Sequence, residues 1–175
     1  MAEILFFHLQ SRPLEQVLPT ILDRALSRGQ KVVVEVGGQE RMSVLDDHLW
    51  TYADESFLPH VTALEADAPS NPVVLTTQAH NPNAAQVRIC ADGVRIPDAM
   101  QDYERVVLIF DGDDPEALAA AREDWKKARA SGHAASYWQQ DDSGRWKAIC
   151  IFIGVAGGSA AGKTTLCENI NRQMA

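Results

Sequence analysis

Val106-Val107-Leu108-Ile109-Phe110 is an unbroken apolar run, followed at once by Asp111-Gly112-Asp113-Asp114-Pro115-Glu116. A short run bounded by turn residues reads as a strand buried on both faces. Asp114 then stands at a helix N-cap, with Pro115 at the first helical position and Glu116 in the first turn, where the backbone dipole favours a carboxylate. The spacing predicts a helix from Pro115 to Gly132. A buried strand feeding a capped helix is the unit of an open parallel sheet.

Outward from that unit the same alternation returns. Ile4 to Leu9 reads as a buried strand, and Pro13 opens a helix carrying Leu14, Val17, Leu18, Ile21, Leu22 and Ala25 at helical spacing until Gly29. Pro19 inside it is expected to bend or break it. Lys31 to Val36 is a valine-rich strand, Gly37-Gly38 turns the chain, and a second helix runs from about Glu40 to Trp50. Thr51 to Ser70 is loop-rich. Pro72 to Thr77 and Val87 to Ala91 read as strands, with the turn cluster His80-Asn81-Pro82-Asn83 between them. Ala135 to Gln140 and Arg145 to Lys147 form an expected hairpin around Asp141-Asp142-Ser143-Gly144. The expected fold is α/β, one domain over residues 1–148 with a mostly parallel sheet.

The 175 residues hold 16 basic and 24 acidic side chains, a net charge of −8. Such a chain is repelled by a phosphate backbone unless its cations are clustered, which argues against a bare nucleic-acid-binding module. No apolar run approaches the roughly 20 residues of a membrane span. Met1 to His8 lacks a basic leader and does not read as a signal peptide. Cys90, Cys150 and Cys167 are widely spaced and read as reduced thiols of a cytoplasmic protein. The histidines at 8, 48, 60, 80 and 133 show no metal-ligand spacing, so no metal is expected.

Three candidate sites follow. Asp111, Asp113 and Asp114 sit at the end of a strand, where open α/β sheets place active sites. Helix capping accounts for them more simply. No glycine fingerprint follows the first strand. On the helix after them, Arg122, Lys126 and Arg129 recur at i, i+4 and i+7 with Lys127 beside them. Leu118, Ala121, Trp125 and Ala128 form a neighbouring stripe whose spacing points inward. A basic face beside an indole suits an acidic peptide with an apolar end. The third site is Gly157-Gly158-Ser159-Ala160-Ala161-Gly162-Lys163-Thr164, which fits G-x-x-x-x-G-K-[ST]. It follows an apolar strand, Ile149 to Val155, and precedes a helical stretch, Thr165 to Met174.

In a working phosphate loop Lys163 would reach the phosphates and Thr164 would hold magnesium. The segment looks like the opening of a uridine-kinase-like phosphoryl transferase, so an NTP-binding phosphotransferase is the alternative function. Yet one strand and one helix bury too little to fold alone, and no further parallel strands follow. Residues 149–175 carry one net positive charge and residues 1–148 carry −9. The tail is therefore expected to be an appended strand-loop-helix fragment. Gly157, Gly162, Lys163 and Thr164 are discounted as a cofactor site.

Leu45-Asp46-Asp47-His48-Leu49-Trp50 and Glu55-Ser56-Phe57-Leu58-Pro59-His60 together resemble the chi subunit of bacterial DNA polymerase III. Ile4 to Leu9, Val107 to Asp111, the helix with Arg122 to Lys126, and Tyr137-Trp138-Gln139-Gln140 add to the resemblance, which covers residues 1–148. It implies a single three-layer Rossmann-like domain without a catalytic site or cofactor of its own. It implies an accessory protein of the clamp loader. That protein links the psi subunit to the acidic C-terminal tail of the single-stranded-DNA-binding protein, and meets DNA only indirectly. The tail-binding residues carried over are Arg122, Trp125 and Lys126, with Trp50 nearby. The resemblance thus moves Trp125 from an inward stripe to a pocket wall.

Overall fold

The computed structural model describes residues 2–55 and 57–149. The apolar runs become strands β1 (Glu3–Leu9), β2 (Val32–Glu35), β3 (Val61–Thr62), β4 (Val73–Thr76), β5 (Val87–Cys90), β6 (Arg105–Asp111), β7 (Ala134–Gln140) and β8 (Trp146–Ile149). The amphipathic stretches become helices α1 (Leu14–Ser27), α2 (Gln39–Thr51) and α3 (Pro115–Ala130). β3 and a 3-10 turn at Ala68–Ser70 fall in the stretch expected to be loop-rich. A two-residue strand is too short to show a period.

The strands form one sheet in the order β3-β4-β2-β5-β6-β1-β7-β8. All pairs are parallel except the β7–β8 hairpin. The two-residue period of the strands divides the core between the faces. Leu5, Phe7, Val32, Val34, Val107 and Ile109 meet α1 and α2 on one face. Ile4, Phe6, Val33, Val106, Leu108 and Phe110 meet α3 on the other. The result is the three-layer α/β domain expected.

The α3 face is only partly roofed by a helix. α3 packs on β6, β1 and β7, while Ala85, Ile96, Met100 and Tyr103 complete that core layer from connecting segments. Arg88, fully buried on β5, ties the covering together. Its guanidinium pairs with Glu35 and donates to Tyr103 Oη at 3.1 Å, His80 O at 3.1 Å and Gln78 O at 3.3 Å.

Pro19 does not break α1, which runs unbroken from Leu14 to Ser27. Proline removes the N–H that would reach the carbonyl four residues back. That carbonyl, Glu15 O, is instead 2.6 Å from His48 Nε2 on α2. The freed acceptor becomes a helix–helix contact. The segment expected to be appended, with Gly157, Gly162, Lys163 and Thr164, lies outside the described residues apart from Ile149, which ends β8.

Candidate functional site

The chain leaves β1 toward α1 on one face and leaves its neighbour β6 toward α3 on the other. Divergent exits from adjacent parallel strands open a crevice at their C-terminal ends. A cavity of about 860 Å³ lies there, bordered by Arg12, Arg41, Arg95 and the Asp111–Asp114 turn. Two of these arginines are already engaged. Arg41 pairs with Glu15 and with Asp92 at 2.7 Å; Arg95 pairs with Asp124 at 2.7 Å and Glu123 at 3.3 Å. Asp114 caps α3 by accepting from Glu116 N at 2.9 Å, and Asp111 accepts from Asp113 N at 2.9 Å. The Asp111 and Asp114 carboxylates do the local work of a helix start. An acidic crevice with two of its three arginines already paired does not invite phosphates. No three His, Cys, Asp or Glu side chains among the described residues are placed to hold a metal ion. Cys90 is buried, and burial pushes its thiol up to about 11, far from a reactive thiolate.

The surface of α3 is different. Ala121, Asp124, Trp125 and Ala128 face the sheet. The Trp125 ring meets Phe6 edge-on at 5.2 Å and Tyr137 at 6.2 Å, and only 8% of the residue is exposed. Its place is the inward stripe of the spacing argument and not an open pocket wall, because Phe6 and Tyr137 close on the ring. Its Nε1 has no hydrogen-bond partner among the described residues. Arg122, Lys126 and Arg129 are exposed above it, without a carboxylate partner among the described residues. Lys127 is not part of that free set, since it pairs with Asp98 at 2.5 Å.

The aromatic group that does border the basic face is Tyr137 on β7. It is half-buried, burial raises its phenol pKa, and the nearby Arg122 charge opposes the rise. Its hydroxyl is hydrogen-bonded to His8 Nδ1 at 2.5 Å. Spacing along α3 could not reveal Tyr137, because it enters through the parallel register of β7 on β1.

Trp50 is not with the others. It lies in the last turn of α2, on the opposite face of the sheet from α3, and is 52% exposed. Its ring lies 4.5 Å from buried His60 and 6.0 Å from Phe57, which is 75% exposed. His60 is anchored by Leu58 O at 2.7 Å and Asp46 O at 3.3 Å. Leu64, beyond β3, is also exposed. The structure therefore brings Arg122, Lys126 and Trp125 together and places Trp50 in a separate apolar patch. No described helix is long and apolar enough to cross a membrane.

Comparison with known proteins follows this geometry. The family model described as DNA polymerase III chi subunit, HolC, matches residues 1–136. A relative in Rickettsia prowazekii (strain Madrid E), named a probable DNA polymerase III subunit chi, is 20% identical over 117 residues, covering 63% of this chain and 71% of that protein.

Proposed function

The chain belongs to the family of DNA polymerase III chi subunits, and on that premise we propose that it joins two partners through two different faces. The α3 face takes the acidic C-terminal tail of the single-stranded-DNA-binding protein. The Trp50–Phe57 patch takes the psi subunit of the clamp-loader assembly. The protein acts as a cytoplasmic adaptor without catalysis of its own and reaches DNA through its partners.

The observation that carries this reading is the row of cations, Arg122, Lys126 and Arg129, without a carboxylate partner among the described residues, on one exposed helix face of a molecule whose net charge is −8. An anionic peptide is drawn to that face. Tyr137 and the closed Trp125 layer give its apolar end a surface to lie on. Exposed ion pairs contribute about 0–1 kcal/mol each, so the affinity is modest and falls with salt. Several tails on one coated strand raise it by avidity.

Calorimetric titration with the tail peptide tests the assignment. Arg122→Ala is expected to weaken binding about fivefold, the equivalent of about 1 kcal/mol. Arg122→Glu combined with Lys126→Glu is expected to abolish it. Equal affinity in all three proteins removes the α3 face from the site.

A further inference from the structure

A second concave surface lies away from α3, where α1 faces the β7–β8 hairpin. It encloses about 680 Å³. Its floor is apolar: Phe7, Val17 and Trp138 are buried there, and Trp146 meets Phe7 edge-on at 4.6 Å. Its rim holds Arg12, Arg24, Arg145 and Lys147, all exposed. Only Lys147 has a carboxylate partner among the described residues, Asp141 at 3.7 Å.

The rim is held in place before any ligand arrives. Gln140 Oε1 accepts from Gln10 N at 3.0 Å, Ser11 N at 3.2 Å and Arg12 N at 3.2 Å, fixing the start of α1 to the hairpin. Asp141 accepts from Ser143 N at 2.9 Å and Arg145 N at 3.0 Å, which shapes the turn. Gly144 has a φ of +81°, and a Cβ there would collide with the Arg12 guanidinium lying over it. Arg12 donates to Ser143 O at 3.4 Å from that position. Gln140 lines the cavity at 3% exposure, and its amide Nε2 has no partner among the described residues. A buried donor without a partner costs free energy that a bound acceptor would recover.

We propose that this groove docks an acidic peptide segment of a partner protein, with carboxylates on the Arg12, Arg24, Arg145 and Lys147 rim and an apolar side chain on the floor. Charge selects the partner: four cations gather here in a chain of net charge −8. The floor selects peptide over single-stranded nucleic acid. Stacking needs open ring faces, whereas Phe7 and Trp138 are buried and Trp146 is packed on Phe7. None of the residues lining the groove belongs to α3, so the proposal does not rest on the assignment of the α3 face.

The test uses the full chain and a fluorescein-labelled peptide of alternating aspartate and leucine, read by anisotropy. Arg24→Glu with Arg145→Glu is expected to weaken binding at least about tenfold, and Arg24→Gln with Arg145→Gln to weaken it less. All titrations are made in an Arg122→Glu, Lys126→Glu background, so that the α3 face takes no share of the peptide. Thermal melts of each variant establish that it folds. No binding to the protein carrying only the α3 pair overturns the proposal, as does binding there that the Arg24 and Arg145 changes leave intact. Oligothymidylate that binds the groove as tightly as the peptide overturns it in favour of a nucleic-acid site.

Discussion

Asp124 is 1% exposed in the middle of a helix whose other inward residues are alanine and tryptophan. It stays there because its carboxylate is fully used. Oδ1 accepts from Arg95 Nε at 2.9 Å and from an Arg95 terminal nitrogen at 2.7 Å, and Oδ2 accepts from Ile96 N at 3.2 Å. Asp124→Ala strands a buried N–H and removes the Arg95 and Ile96 bonds to α3, leaving the 94–98 segment held by Lys127. A loss of about 2–3 kcal/mol is expected in urea denaturation. Spacing could not anticipate this, since an aspartate beside an apolar stripe reads as outward until its partner is known. His8 gives a pH dependence. Burial holds its imidazole pKa below the ordinary 6.5, and Asp113 and Asp111 pull it back only in part. The unfolded chain then binds the proton more readily than the fold does. This residue's contribution to stability is complete above about pH 6.5 and declines as the pH falls through 6.5 toward the folded value. Denaturation midpoints at pH 7.5 and 5.5 should differ less in His8→Gln than in the parent. An equal difference would clear His8 of that role.

At the scale of elements, the Pro19–Glu15–His48 arrangement shows why α1 continues through Pro19 without a break. Proline did remove a helix hydrogen bond, as expected, but α2 supplies a replacement donor in His48 Nε2. The broken rung therefore joins two helices instead of ending one. A double-mutant cycle isolates the effect. His48→Ala is expected to cost about 1 kcal/mol in the parent, because Glu15 O is then left without its donor. In a Pro19→Ala background the backbone N–H restored at that position can reach Glu15 O, and His48→Ala should cost little. A coupling of about 1 kcal/mol is the expected result, and purely additive costs would contradict it. The other elements were legible where length allowed a period to show. β1, β6 and α3 each carry four or more apolar positions in phase with their geometry. β3, at two residues, carries no such signal and exists because β4 offers it a parallel edge.

For the whole molecule, charge balance and strand–helix alternation were readable from composition and order. The separation of Trp50 from Trp125 was not. Both lie on helices of similar length, and nothing in linear spacing says which face of the sheet a crossover takes. That choice is made by strand order: α1 and α2 carry the chain toward β2 and β4 on one face, and α3 returns it past β1 to β7 on the other. The consequence is functional. On the proposed assignment the two ligands sit on opposite faces of the sheet and should not compete. Trp50→Asp should therefore abolish retention of the psi subunit on an affinity column while leaving the affinity for the acidic tail peptide unchanged. Arg122→Glu with Lys126→Glu should do the reverse. In the parent protein, saturating psi should leave the tail affinity within about twofold, a coupling below about 0.5 kcal/mol. Added salt should weaken tail binding strongly and psi binding weakly, since the first rests on exposed charges and the second on apolar rings. If Trp50→Asp weakened tail binding as much as the α3 pair does, the assignment of the two ligands to separate faces would fall.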